Sequence, residues 1–179
     1  PGDAELVYVG RTGGHWYTHW GGGSNPLCMH PTPTDEWTNN NNHNWGRVYR
    51  SEYQTSGYGV QDLSSLHDHE IPCAVCFTPN RVRLYGTSTS HSNNMHPFLP
   101  GKQTCPGGFE IEYAGWIMAN HHTNANKNLF TCMDGQPEKA TDSSSGNEDG
   151  NLFYPAEFQD WLWEEDGSND RYPHDHEAQ

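Results

Sequence analysis

Two neighbouring clusters hold most of the chemistry this chain offers. His67-Asp68-His69-Glu70 runs through Ile71 and Pro72 into Cys73-Ala74-Val75-Cys76. On an extended strand alternate side chains share a face, so His67 and His69 can chelate one ion. The competing reading makes them hydrogen-bonded scaffold residues leading into the paired cysteines, and it is preferred here. His174-Asp175-His176-Glu177 repeats the composition near the end of the chain, where a frayed tail is expected. The loop from Asp142 to Asn151 offers hard oxygen donors for Ca2+, with Asp142, Glu148 and Asp149 as candidate ligands. It lacks the spacing and flanking helices of an EF-hand, and a solvated acidic loop is the alternative. Trp16, Tyr17 and Trp20, set among glycines, can either stack on sugars or form the core, and the core is the reading adopted. No Ser-His-Asp or Cys-His nucleophile constellation can be assembled, so no enzymatic activity is expected.

The scaffold behind these groups is poor in core. The 179 residues are 32% hydrophobic, with 9 Lys and Arg against 23 Asp and Glu, a net charge of −14. That balance lies toward disorder, but 7 Trp, 9 Tyr and 5 Cys oppose it through large aromatic burial and cross-linking. The charge repels phosphate backbones and anionic lipid, so neither nucleic acid nor a membrane surface is an expected partner. Divalent cations are favoured instead. Five cysteines without a zinc-like pattern of histidines suit disulfides and an oxidising, extracellular setting. The chain opens at Pro1, read as a processed start.

Repetition organises the sequence. Pro1-Gly2-Asp3-Ala4-Glu5-Leu6-Val7-Tyr8-Val9-Gly10 recurs as Pro106-Gly107-Gly108-Phe109-Glu110-Ile111-Glu112-Tyr113-Ala114-Gly115. Cys28, Met29 and Pro33 then align with Cys132, Met133 and Pro137, and Tyr49, Glu52, Tyr53 and Gln54 with Tyr154, Glu157, Phe158 and Gln159. A tandem duplication follows, with a first repeat over 1–104 and a shortened second repeat over 105–179. Alternation of Phe109, Ile111 and Tyr113 with glutamates, and of Val82 and Leu84 with arginines, predicts half-buried strands. With 19 Gly and 12 Pro, longer elements are broken up, and 39–44 and 141–151 read as exposed connections. The expected fold class is all-β, a duplicated small disulfide-linked β subdomain with short strands and long loops.

The stretch from Thr104 to Gly115, with Cys132 and the Ile71-Pro72-Cys73-Ala74-Val75-Cys76 pair, resembles the C-terminal non-collagenous domain of type IV collagen. Ser65-Leu66-His67-Asp68-His69-Glu70 running into the cysteines makes it more similar still to the spongin short-chain collagens of invertebrates. The resemblance covers nearly all of the first half and the front of the second. It implies an extracellular disulfide-bonded β domain whose relatives trimerise and exchange β-hairpins. It also implies that Cys28 pairs with Cys73, Cys76 with a cysteine upstream of Pro1, and Cys105 with Cys132. There is no Gly-X-Y tract, so this chain forms no collagen triple helix by itself. After Gln159 the second repeat has no Cys-x-x-Cys and runs into an acidic tail containing Trp161 and Trp163.

These features lead to the expectation of a secreted structural protein that polymerises into a matrix or fibre. Its partners are copies of itself, with other matrix proteins admitted and Ca2+ as an aid to assembly. Strand addition is expected to link the subunits, with the Trp161 and Trp163 tail contributing. A soluble glycan-binding module is the alternative.

Overall fold

Leu6, Val7, Tyr8 and Val9 favour the pleated conformation, and they build the longest strand, β1 (Glu5–Gly14). The computed structural model describes residues 4–34, 45–57, 61–77, 100, 104 and 111–157. Among these, the other strands are β2 (Leu27–Met29), β3 (Tyr49–Tyr53), β4 (Pro72–Phe77), β5 (Gly115–Ala119), β6 (Thr131–Asp134) and β7 (Asn151–Pro155). The one helical element is a 3-10 turn over Gln61–Leu66, so the described part is all-β as expected. The strands form a curled seven-stranded sheet in the order β2-β1-β3-β7-β5-β6, with β4 paired to β1 off that path.

Register shows how β1 divides its two edges. Arg11 faces Met29 of β2 on one edge and Pro72 of β4 on the other, while Gly13 faces Leu27 of β2 and Arg50 of β3. Hence β4 and β3 share one edge of β1, end to end. β5 is arranged in the same way with respect to its own neighbours. Met118 faces Thr131 of β6 on one edge and Pro155 of β7 on the other. Thr12 opposite Cys28 has its match in Ile117 opposite Cys132, and Gly14 opposite Tyr49 in Ala119 opposite Tyr154. Even the close approaches agree. A Cβ on Gly10 would collide with the Met29 carbonyl, and one on Gly115 with the Met133 carbonyl, so both strands need glycine where the neighbouring backbone comes in.

The parallel pairing of β3 with β7 joins these arrangements, placing Ser51, Glu52 and Tyr53 opposite Asn151, Leu152 and Phe153. The Asn151 Nδ2 donates to the Ser51 Oγ at 2.8 Å, and both residues are fully buried. The core gathers Tyr53, Leu63, Leu66 and Ile71 with Met118 and Phe153, and Trp116 and Met133 pack against it. Burying each such side chain contributes roughly 1.5–3 kcal/mol.

Four expectations are corrected here. Residues 111–114 belong to no strand, because β5 starts at Gly115 and no described strand forms a ladder with the segment before it, although the Ala114 carbonyl accepts from the Gly135 amide at 3.0 Å. The connection over 141–151 ends at Gly150, since Asn151 opens β7 with no exposure. Trp16, Tyr17 and Trp20 are not the core; Trp20 is 91% exposed and the other two are half-buried. His67 and His69 lie in the turn after the 3-10 element rather than on a strand, with Asp68 at a φ of 61°. Residues 39–44, 81–84, 109, Cys105, Trp161 and Trp163 lie outside the described residues.

Candidate functional site

The Glu70 carboxylate is a structural node. Arg11 and Arg50 both pair with it, the latter at 2.5 Å, and Arg11 also donates to the Thr141 carbonyl at 2.6 Å. The Glu70 amide donates to the Ser143 Oγ at 2.7 Å, and the His69 Nδ1 lies 3.1 Å from the same oxygen. The His67 Nδ1 accepts from the Thr55 amide at 3.3 Å, while Gln54 donates to Asp68 at 3.0 Å. The side chains of the His67-Asp68-His69-Glu70 run thus have hydrogen-bond partners within the chain, which fits the scaffold reading. A buried carboxylate held by two guanidinium groups is costly to break, because removing either partner leaves charge unpaired.

The acidic loop is lashed to this node. Glu148 approaches Arg50 at 3.7 Å, and Asp142 and Asp149 turn the backbone at φ values of 64° and 53°. Among the described residues no group of three or more His, Cys, Asp or Glu is placed to hold a metal ion, so Asp142, Glu148 and Asp149 are not drawn into one ligand set.

Glu52, which lies mid-ladder on β3, was not singled out from the sequence. It is 1% exposed and its Oε2 has no hydrogen-bond partner. Burial pushes its pKa up to about 7, with the charges of Asp68, Glu148 and Asp149 adding to the rise and a backbone hydrogen bond from Glu148 opposing it. The sequence held one hint: Glu52 aligns with Glu157 in the internal repeat.

Aromatic rings cover the end of β1. Trp16 lies edge-on to Tyr49 with centroids 5.1 Å apart, and His19 stands 6.0 Å from Trp16. Past β5 the same place is held by His121 and Tyr154, also 5.1 Å apart and edge-on. The His19 amide donates to the Trp16 carbonyl at 3.1 Å, and the Asn124 amide to the His121 carbonyl at 3.0 Å. Local turns thus agree as well as strands.

The sheet edges and the thiols differ between the two halves. Along β1, Gly10 faces Cys73 of β4, and Cys73 is bonded to Cys28 across a Cα separation of 5.7 Å. This is the pairing implied by the resemblance. Cys73 and Cys76 stand three residues apart on β4, and the exposed Cys76 is a free thiol. Cys132 is free too, and the expected bridge to Cys105 falls on a residue outside the described ones. The two edges differ in what flanks them. Cys132 occupies the place of Cys28 opposite Ile117, but no strand among the described residues follows 111–116 as β4 follows β1. Burial and the Asp134 charge push the Cys132 thiol pKa up, against a hydrogen bond with Tyr113.

Apolar residues concentrate at these edges. Leu6, Val7 and Val9 on β1, Phe77 on β4, and Ile111 and Tyr113 before β5 are each roughly half exposed or more. Single exposed apolar side chains are ordinary, but a row along an open strand edge is a site for pairing. Comparison with models of known protein families finds no match, and comparisons with curated proteins and with solved structures find none either.

Proposed function

We propose that this chain is a secreted structural protein, a tandem duplication of a small β unit that assembles with copies of itself by strand addition. The observation that carries this is the unmatched edge: residues 6–11 are covered by β4, while among the described residues no strand lies on the matching edge of their counterparts 111–116, of which Gly115 and Trp116 pair with β6 on the other edge. Shared registers, the shared glycine approaches and the shared ring pair support the duplication. The resemblance to the spongin and type IV collagen non-collagenous domains rests on the quoted motifs and agrees with this picture. The formed disulfide suits an oxidising compartment, and no helix among the described residues is long and apolar enough to cross a membrane.

A donor strand is available on the same molecule. β4 pairs with β1 alone and leaves its other edge open among the described residues. Joining β4 of one copy to 111–116 of the next is a head-to-tail contact between two different surfaces. Such a contact propagates into a filament unless its rotation closes a ring. This donor differs from the Trp161 and Trp163 tail expected from sequence. Each added subunit brings a charge of −14, so salt or Ca2+ must screen the approach.

A glycan-binding role is the second reading, favoured by Trp20 at 91% exposure, next in sequence to His19, whose ring joins those of Trp16 and Tyr49. Sedimentation of the full chain across a salt and Ca2+ series separates the two. Assembly gives large particles that grow with screening, whereas a lectin stays monodisperse and is retained on a glycan array.

A further inference from the structure

The first half shows what a filled edge looks like. β4 lies along β1, its Cys73 stands opposite Gly10, and the sulfur reaches across to Cys28. In the second half Gly115 and Cys132 stand in the places of Gly10 and Cys28, and the Tyr113 hydroxyl donates to the Cys132 carbonyl at 3.0 Å as Tyr8 does to that of Cys28 at 2.8 Å. What the second half lacks, among the described residues, is a strand bringing a cysteine to Gly115. Cys132 is the thiol left over by that vacancy, and it sits where a bridge forms in the other half.

The described residues hold one other free thiol. Cys76 is exposed on β4, the strand whose outer edge is open. Within one molecule β4 is pinned to β1 by six cross-strand pairs and by the Cys28–Cys73 bond. It cannot leave to cover the second half of its own chain. Among the described residues nothing else meets its open edge or Cys76, which leaves both for another copy.

We propose that Cys76 of one copy and Cys132 of the next form an intermolecular disulfide when β4 seats along residues 111–116, locking a head-to-tail contact covalently. This deepens the assembly reading above and rests on it. The oxidant is a small-molecule disulfide of the glutathione class. The exposed Cys76 thiol exchanges with it first, giving a mixed disulfide and releasing one small thiol. The Cys132 thiolate of the neighbour then attacks the Cys76 sulfur, forming the protein–protein bond and releasing the second small thiol. Two protein thiols are oxidised and one small disulfide is reduced to two thiols. Burial holds the Cys132 thiol pKa up and its thiolate scarce, so the exposed Cys76 is the thiol that meets the small disulfide first.

The experiment uses the full chain and the variants Cys76→Ser and Cys132→Ser, each incubated with reduced and oxidised glutathione under conditions that promote particles. The native chain should give a ladder of covalent oligomers on a non-reducing gel, with a Cys76–Cys132 peptide in the mass map. Each variant alone should lose the ladder. Mixing the two variants should restore a covalent dimer and nothing larger, because each mixed pair has one compatible contact. Particle sedimentation is recorded in parallel, with Cys132→Ala as a second variant should serine disturb the half-buried site. Cys132 mapped to Cys105, a ladder surviving in either variant, or both thiols remaining alkylatable inside formed particles would overturn the disulfide while leaving noncovalent assembly standing. Absence of particles in the native chain overturns the disulfide and the assembly reading together.

Discussion

Tyr113 donates its hydroxyl hydrogen to the carbonyl oxygen of Cys132 at 3.0 Å. That bond ties the segment before β5 to β6 across one edge and leaves the other edge bare among the described residues. Tyr8 makes the matching bond to Cys28 in the first half, where β4 covers the bare side. Each bond contributes about 1 kcal/mol by the usual worth of a hydrogen bond in water. Tyr8→Phe and Tyr113→Phe should each lower the urea midpoint by a corresponding small amount. A loss several times larger in one of them would mean that the hydroxyl supports more than this turn.

Gly10 and Gly115 should answer alike to substitution. An added methyl meets the Met29 carbonyl in one case and the Met133 carbonyl in the other, both backbone atoms that cannot rotate away. Gly10→Ala and Gly115→Ala are each expected to cost about 1–3 kcal/mol in denaturant titrations. Tolerance of one and not the other would break the equivalence of the two halves.

Glu52 makes stability depend on pH. Its folded pKa is raised from 4.5 to about 7, so between those values the folded state holds a proton that the unfolded chain has released. Stability is therefore full below the lower value and falls as pH rises through the upper one. At about 1.36 kcal/mol per pKa unit the loss is on the order of 3 kcal/mol. Glu52→Gln, neutral throughout, should flatten this part of the profile and be more stable than the native chain at about pH 8. Denaturation at several pH values decides it, and an unchanged slope would place the titration elsewhere.

The Cys28–Cys73 bond closes a sequence separation of 45 residues in a chain with little core. Reducing it, or replacing both cysteines by alanine, should cost roughly 2–5 kcal/mol. Thermal melts with and without reductant measure this. Equal melting temperatures would show that the β1, β2 and β4 ladders hold the first half unaided.

Much of this was legible in the sequence, and the failures have identifiable causes. The repeat placed Tyr8 with Tyr113 and Cys28 with Cys132, and both pairs occupy matching positions. Alternation over Ile111 and Tyr113 reads as a strand, but alternation describes a face and says nothing about whether a neighbour supplies the ladder. Trp16 and Trp20 resemble core residues by type; aromatic side chains serve surfaces equally, and only the positions of Phe153 and Tyr53 show which ones are inside. Burial of Glu52 follows from β3 lying beside β7, a pairing between residues about a hundred positions apart that no local pattern encodes.

Assembly through the open edge is tested most directly by electron microscopy of the native chain beside Ile111→Lys, in moderate salt with Ca2+. Ile111 is 46% exposed, so lysine there leaves the fold intact while placing a charge on the edge that receives the neighbouring strand. Filaments of the native chain, with dispersed single subunits for Ile111→Lys, are the expected outcome. Native protein that stays monomeric, or Ile111→Lys filaments as long and as numerous as the native ones, would contradict it.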